Sequence, residues 1–235
     1  SYGKPKYFSE IKKIIKLTDN GYKFNNKFFS WQDGYIFSPK FREKFGGPRD
    51  SSQEVTDTDK DMAASSQALF EYVIEHCIGL LLKKIKHSNI SIAGGSALNC
   101  SANGKLLSSG NYKNVYVSAF SSDLGTCIGA AYLAYYKKNE YKSSISHLMT
   151  DSFGPSFNDL EIETVLKRSS VKYTYTENPQ KYAATEIVNG KIVGWFNGKM
   201  EFGPRALGNR SILADPRNPD IKDRINKNIK FREEF

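Results

Sequence analysis

Residues 194–217 read GWFNGKMEFGPRALGNRSILADPR. Val193, Trp195 and Phe196 make a strand-like apolar run, and directly after it Gly198, Gly203 and Gly208 interleave with Lys199, Arg205, Arg210 and Arg217. Glycines admit positive φ and let a backbone come close to a ligand, while guanidinium forks match phosphate oxygens two bonds at a time. A loop of this make-up is suited to holding an anion. Asn209 and Ser211 add neutral donors, and Glu201 and Asp215 stand where they can orient the arginines or receive a metal. The competing reading is a surface loop whose charges are solvated and paired with one another. The crowding of glycines, a proline and cations into one interval between apolar runs favours the anion site. No P-loop ending in Gly-Lys-Ser or Gly-Lys-Thr occurs, so this is not a Walker cradle.

Working outward, 158–168 and 179–188 are predicted as helices, 172–175 and 192–196 as strands, 212–214 as a further apolar run and 219–230 as a last helix. The result is an α/β module in which the anion loop follows a strand. Further upstream, Ile90 to Ala93 is a short predicted strand running into GGSALNCSANGKL. Gly94 and Gly95 at a strand-to-helix junction allow close backbone approach, and the helix start offers free N–H groups. Asn99 and Asn103 then sit four apart on the predicted helix. A tight βα turn without a ligand would use the same residues. A third stretch, VYVSAFSSDLGTCIGAAYLAYY, reads as a strand over 115–117, a loop over 118–125 and a small-residue helix over 126–136. Asp123 in that loop is either a helix N-cap or a carboxylate holding metal or substrate.

In the first 49 residues, Phe8, Ile11, Ile14 and Ile15 suit one face of a helix over 7–17, and 22–37 alternates aromatic and polar residues as a hairpin or extended segment would. Phe28, Phe29, Trp31, Tyr35 and Phe37 are read as core packing, and FREKFGGPRD (41–50) as a turn leading to the next helix. That helix is predicted from 58 or 59 to 86, with Phe70, Val73, Ile74, Cys77, Leu81 and Ile85 on its buried face and Gln67 hydrogen-bonded nearby.

GKMEFGPRALGNRSILADPR resembles the C-terminal signature of the O-carbamoyltransferases, the family of nodulation, tobramycin and cephalosporin-type carbamoylating enzymes. The tail residues Asn226, Lys230, Arg232, Glu233 and Phe235 are similar to it as well. GGSALNC followed by SSDLGTCIGAA is similar to that family's Kae1-like domain, which has the actin and sugar-kinase type of fold. The resemblance implies an α/β chain in two parts, with 1–148 the C-terminal part of a Kae1-like domain and 149–235 a YrdC-like domain cut short at its end. It also implies the chemistry: carbamoyl adenylate forms from ATP and carbamoyl phosphate in the YrdC-like part, and the Kae1-like part passes the carbamoyl group to an acceptor hydroxyl. Gly94, Gly95, Ala97 and Asn99, with Gly125, then belong to an adenylate-binding surface. Asp123 matches a metal-ligand aspartate, with iron expected there and magnesium with the ATP. The histidines completing that metal site come from an HxxxH motif that these residues lack. Either the preceding part is left out or the site is incomplete; the start at SYGKP, already inside the family pattern, favours omission, and the chain alone is expected to transfer no carbamoyl group.

Carbamoyl phosphate and ATP bring several negative charges together, which fixed cations answer. Lys199, Arg205 and Arg210 are assigned that catalytic role, Asn209 and Ser211 an orienting one, and Arg217, Lys230 and Arg232 the rim. No Ser-His-Asp or Cys-His set is apparent. Cys77, Cys100 and Cys127 form no CxxC pair, and His76, His87 and His147 show no metal spacing, which argues against a disulfide framework or a zinc site.

The formal charge of +9 is spread without a dense stripe, so anionic small molecules are favoured over nucleic acid. Hydrophobic residues at 39% suit a globular chain, and no apolar run is long enough to cross a bilayer. SYGKPKYFSE lacks the h-region of a signal peptide, so a cytoplasmic location is expected. The expected partner is a small-molecule hydroxyl acceptor, with no membrane; oligomerisation stays open. Two other readings stay open too: a tRNA threonylcarbamoylation-type enzyme and a noncatalytic nucleotide-binding module.

Overall fold

A computed structural model describes residues 3–30, 36–50, 52–139 and 151–232. Trp31, Tyr35, His147, the expected boundary near 148, Glu233 and Phe235 lie outside the described residues. The chain divides into two compact units, Ser1–Ile90 with Ser101–Asn114, and Ser91–Cys100 with Val115–Glu234.

In the first unit, α1 (Phe8–Ile11) passes through a 3-10 turn (Lys12–Ile14) into an antiparallel hairpin of β1 (Ile15–Thr18) and β2 (Gly21–Phe24), with Thr18 opposite Gly21. The helix predicted over 7–17 therefore stops early. From Ile15 onward the chain finds a partner strand, closed by a turn through Asp19 and Asn20, and strand pairing of β-branched residues overrides the helical period. The stretch 41–50, read as a turn, is helical over its first half: α2 (Pro39–Phe45) is capped by Ser38, whose Oγ accepts the Phe41 N–H at 3.3 Å, and has Pro39 at its first position. α3 (Asp57–Lys84) starts on a reciprocal cap: Thr56 Oγ1 accepts from the Asp59 N–H at 3.2 Å, and Asp59 Oδ2 from the Thr56 N–H at 2.8 Å.

The buried line of α3 is Asp61, Ser65, Leu69 and Ile78, while Phe70, Val73, Ile74 and Cys77 are half-buried and Leu81 and Ile85 exposed. The expected apolar stripe is thus displaced, because the N-terminal segment lies on the helix. Lys4 N–H donates to Asp61 Oδ1 at 2.7 Å and Tyr7 N–H to Ser65 Oγ at 3.0 Å, and a Cβ on Gly3 would fall 2.1 Å from the Lys60 carbonyl. Polar side chains are buried there because they satisfy another segment's backbone, which hydrophobic periodicity does not register. The core gathers Ile11, Ile14, Phe28, Phe29 and Leu69, ringed by Phe8, Phe41, Phe45 and Tyr72. Phe28 and Phe29 pack as their sequence context suggests, whereas Phe37, read as core, is 42% exposed and stacks one face on Phe41 with ring centres 4.1 Å apart.

β3 (Asn89–Ile92) and β4 (Asn114–Val117) form a second two-stranded sheet, with α4 (Cys100–Ser108) between them in the chain. The second unit carries α5 (Gly125–Lys138), α6 (Asp159–Arg168), α7 (Pro179–Val188), β5 (Val193–Phe196), β6 (Arg210–Leu213) and α8 (Ile221–Ile225), which continues as a π-helical turn over Asn226–Lys230. Asn158 and Glu161 cap α6 reciprocally, and Asn178 followed by Pro179 opens α7. The strand predicted over 172–175 does not form. Those residues have no ladder partner, and the Tyr173 hydroxyl instead donates to Glu163 Oε1 of α6 at 2.8 Å. The class is mixed α/β, with three two-stranded sheets among the described residues.

Candidate functional site

β5 and β6 pair antiparallel from Val193↔Leu213 to Phe196↔Arg210, and the Asn197 N–H donates to the Asn209 carbonyl at 2.9 Å. The anion loop is therefore the tip of a hairpin, and Ser211 lies in its stem opposite Trp195. Gly198, Gly203 and Gly208 all have positive φ, at 71°, 117° and 123°. Gly203 is constrained twice over, since a Cβ there would also fall 2.5 Å from the Ala119 carbonyl oxygen. Beside that approach the Phe120 and Phe202 rings meet edge to face at 6.0 Å. On the other flank the Phe202 N–H donates to the Asp151 carbonyl at 2.7 Å and the Gly154 N–H to the Met200 carbonyl at 2.8 Å.

Glu201 is the residue the sequence analysis undervalued. It is 3% exposed, and its Oε1 accepts both the Leu207 N–H at 2.8 Å and the Asn209 N–H at 2.7 Å. Burial alone would raise its carboxyl pKa; the N–H donors of Asn209 and Leu207 and the nearby Arg210 charge hold it below the ordinary value instead. Arg210 turns inward, with Nη2 donating to the Gly203 carbonyl at 2.7 Å and Nε 3.8 Å from Glu201 Oε2. Asn209 is equally occupied, its Nδ2 donating to Ser152 Oγ at 2.8 Å and to the Lys199 carbonyl at 2.6 Å. Asp215 grips Arg217 in a two-pronged pair, at 2.9 Å to Nε and 2.7 Å to Nη2, which lowers its carboxyl pKa to about 2. Lys199 and Arg205 are exposed and, among the described residues, carry no ion pair, whereas the equally exposed Arg217 is held by Asp215. The one signal for the Glu201 role was a lone carboxylate inside a run of cations.

Arg205 Nη2 reaches the Leu98 carbonyl at 3.5 Å, which brings the Gly94–Asn99 stretch to the hairpin tip. Gly94 has φ 86°, and a Cβ on either Gly94 or Gly95 would meet open space. Gly95–Leu98 is a 3-10 turn closed by the Ala97 N–H on the Gly94 carbonyl at 3.1 Å, with Ala97 fully buried. α4 begins at Cys100, so Asn99 precedes the helix and does not share a helical face with Asn103. In the 118–125 loop Ser122 sits at φ 132°, and a Cβ on Gly125 would fall 2.5 Å from the Phe120 carbonyl oxygen. Asp123 is exposed and does not cap α5, whose N-cap position is Leu124; its carbonyl accepts the Thr126 N–H at 3.1 Å and the Thr126 hydroxyl at 2.5 Å. All three glycine-bearing stretches thus lie in the second unit. Among the described residues no three His, Cys, Asp or Glu side chains gather where they could hold a metal.

Residues 1–132 match the family model described as carbamoyltransferase N-terminus, and residues 184–235 match carbamoyltransferase C-terminus. The chain belongs to the carbamoyltransferase family. It is 38% identical over its whole length to an uncharacterized protein of Synechocystis sp., covering 40% of that protein. Over 77% of its length it is 37% identical to nodulation protein NolNO of Sinorhizobium fredii, covering 27% of it. Over 63% it is 30% identical to the 3'-hydroxymethylcephem-O-carbamoyltransferase of Amycolatopsis lactamdurans, again covering 27%. The chain therefore spans at most about two fifths of the length of these relatives. The Gly94 and Ser118 loops fall in the N-terminal match and the hairpin loop in the C-terminal one, yet the second unit contains all three.

Proposed function

We propose that the chain serves O-carbamoyl transfer, forming carbamoyl adenylate from ATP and carbamoyl phosphate with loss of pyrophosphate from the nucleotide and of phosphate from the carbamoyl group, and delivering the carbamoyl group to a hydroxyl of a small molecule with release of AMP. In this reading 1–148 is part of a Kae1-like domain and 149–235 a YrdC-like one. The observation that carries it is the contact of Arg205 with the Leu98 carbonyl beside the close approach of Gly203 to Ala119. Loops from the two family matches are thereby neighbours, as two steps sharing one adenylate require.

Lys199 and Arg205 meet the phosphates of both substrates, and their fixed positive charge stabilises the charge that develops on departing pyrophosphate. Arg210 adds positive charge from inside the loop. Asn209 and Ser211 keep the hairpin tip and stem in register. The open side of Gly94 and Gly95 accepts the adenylate closely, with Ala97, Asn99 and Gly125 shaping the backbone around it. Asp123 contributes a single carboxylate from this chain, which does not by itself make a metal site, so no step is routed through a metal.

The homologous cephem enzyme's name supports an oxygen acceptor. Arg205→Ala should abolish carbamoyl-phosphate-dependent release of pyrophosphate from ATP while circular dichroism stays unchanged. Retained pyrophosphate release in that variant would count against the assignment. Calorimetric titration separates this reading from a noncatalytic nucleotide-binding module, for which ATP gives heat and carbamoyl phosphate gives none.

A further inference from the structure

Glycine-rich phosphate cradles present backbone N–H groups to the anion. The hairpin loop over 197–209 has the glycines of such a cradle but commits the amides of Asn197, Met200, Phe202, Leu207 and Asn209 to the protein itself. The Leu207 and Asn209 N–H groups both end on Glu201 Oε1, at 2.8 and 2.7 Å. The other carboxylate oxygen, Oε2, is buried without a hydrogen bond and faces Arg210 Nε at 3.8 Å. Arg210 in turn spans the loop to the Gly203 carbonyl. A negative charge already occupies the inside of the loop, so a phosphate lodged there would meet repulsion and find those amides taken. The exposed Lys199 and Arg205 side chains are left to make the contact.

We propose that Glu201 is the positioning residue of this loop: its carboxylate stands in for the anion of an amide cradle, sets the loop's curvature from within together with Arg210, and directs phosphate-bearing ligands to Lys199 and Arg205. The inference deepens the proposed function and rests on it for the nature of the ligand. Recognition is consequently made by side chains, so affinity falls steeply with salt as paired charges are screened.

The test uses the intact protein with inorganic pyrophosphate as the probe, comparing the wild type, Glu201→Gln and the Lys199→Ala/Arg205→Ala double variant. Calorimetric titration gives affinity, melting temperature gives fold stability, and NMR amide exchange is read at Leu207 and Asn209. Glu201→Gln keeps an oxygen for the two amides but loses the charge facing Arg210. It should weaken pyrophosphate binding about 10-fold, the scale on which a charge-assisted hydrogen bond exceeds a neutral one, with little change in melting temperature. A merely structural residue would lower melting temperature and affinity together. The double variant should lose binding while both amides stay protected. Wild-type affinity in a folded Glu201→Gln protein would overturn the proposal, and so would free exchange of the Leu207 and Asn209 amides in the wild type. Absence of pyrophosphate binding by a wild type whose two amides are protected would instead overturn the anion-site reading on which the ligand role depends.

Discussion

The two units of this chain differ in how much apolar core they bury. The first is packed around Ile11, Ile14, Phe28, Phe29 and Leu69, with aromatic rings in mutual contact. The second buries Glu201, Ser121 and Asn226 along with Ala97, Ala183 and Ile221, and leaves Leu133, Leu160, Val165, Tyr175 and Phe196 at least half exposed. An apolar core is tolerant of detail and stabilises in proportion to the area buried. A polar scaffold is intolerant: each buried donor or acceptor needs its partner, and the reward is a defined loop geometry. Buried polar groups occur in the first unit too, at Ser38, Asp61 and Ser65, but there they sit beside a large apolar core; the unit that carries the candidate site has the smaller one and leans more on its hydrogen bonds.

The largest effect expected from this contrast is on stability of the first unit. Leu69→Ala should cost about 2–5 kcal/mol, the range for removing a packed leucine, as read by denaturant unfolding. Pyrophosphate affinity of the remaining folded protein should not change. An equal fall in affinity would erase the distinction between the two regions. Gly203→Ala should cost less, about 1–3 kcal/mol from strain at positive φ, but should remove ligand binding, because the new Cβ collides with the Ala119 carbonyl. Normal affinity in that variant would show that the approach of the two loops is not needed.

The smallest effect is acid sensitivity. Glu10 in the first unit, with Lys13 and Lys44 as partners, has its carboxyl pKa lowered to about 2, as does Asp215 beside Arg217 in the second. Carboxyls lowered on folding contribute stability above their unfolded pKa of about 4 and lose it as pH falls toward the folded value. These exposed pairs are screened by salt and contribute little. Glu201 is lowered too, so its contribution is lost in the same direction, and it sits where a whole loop depends on it. Amide protection over 198–210 should therefore fall at a higher pH than protection over 11–29. Simultaneous loss would blunt the contrast.

Much of this was legible beforehand. The glycine positions needing positive φ, the helices over 158–168 and 179–188, the strand ending at Phe196 and the carbamoyltransferase resemblance could all be read from local signals. Period and turn chemistry report what a segment does with its own neighbours. They did not report that Ile15–Thr18 would pair as a strand, that Asp61 and Ser65 would be buried under an N-terminal segment, or that 172–175 would lack a partner. Those outcomes depend on distant residues. The site followed the same rule. Its cations were evident from composition, but Arg210 and Asn209 turn inward because Glu201 and Ser152 await them, and no spacing in the sequence encodes that.

Hydrogen exchange of the intact protein, with and without saturating ATP and carbamoyl phosphate, tests most directly whether the three loops share a ligand. Exchange should slow together over 94–99, 118–125 and 198–210, with residues 11–29 unaffected. Slowing confined to a single loop, or to none, would contradict a shared adenylate site.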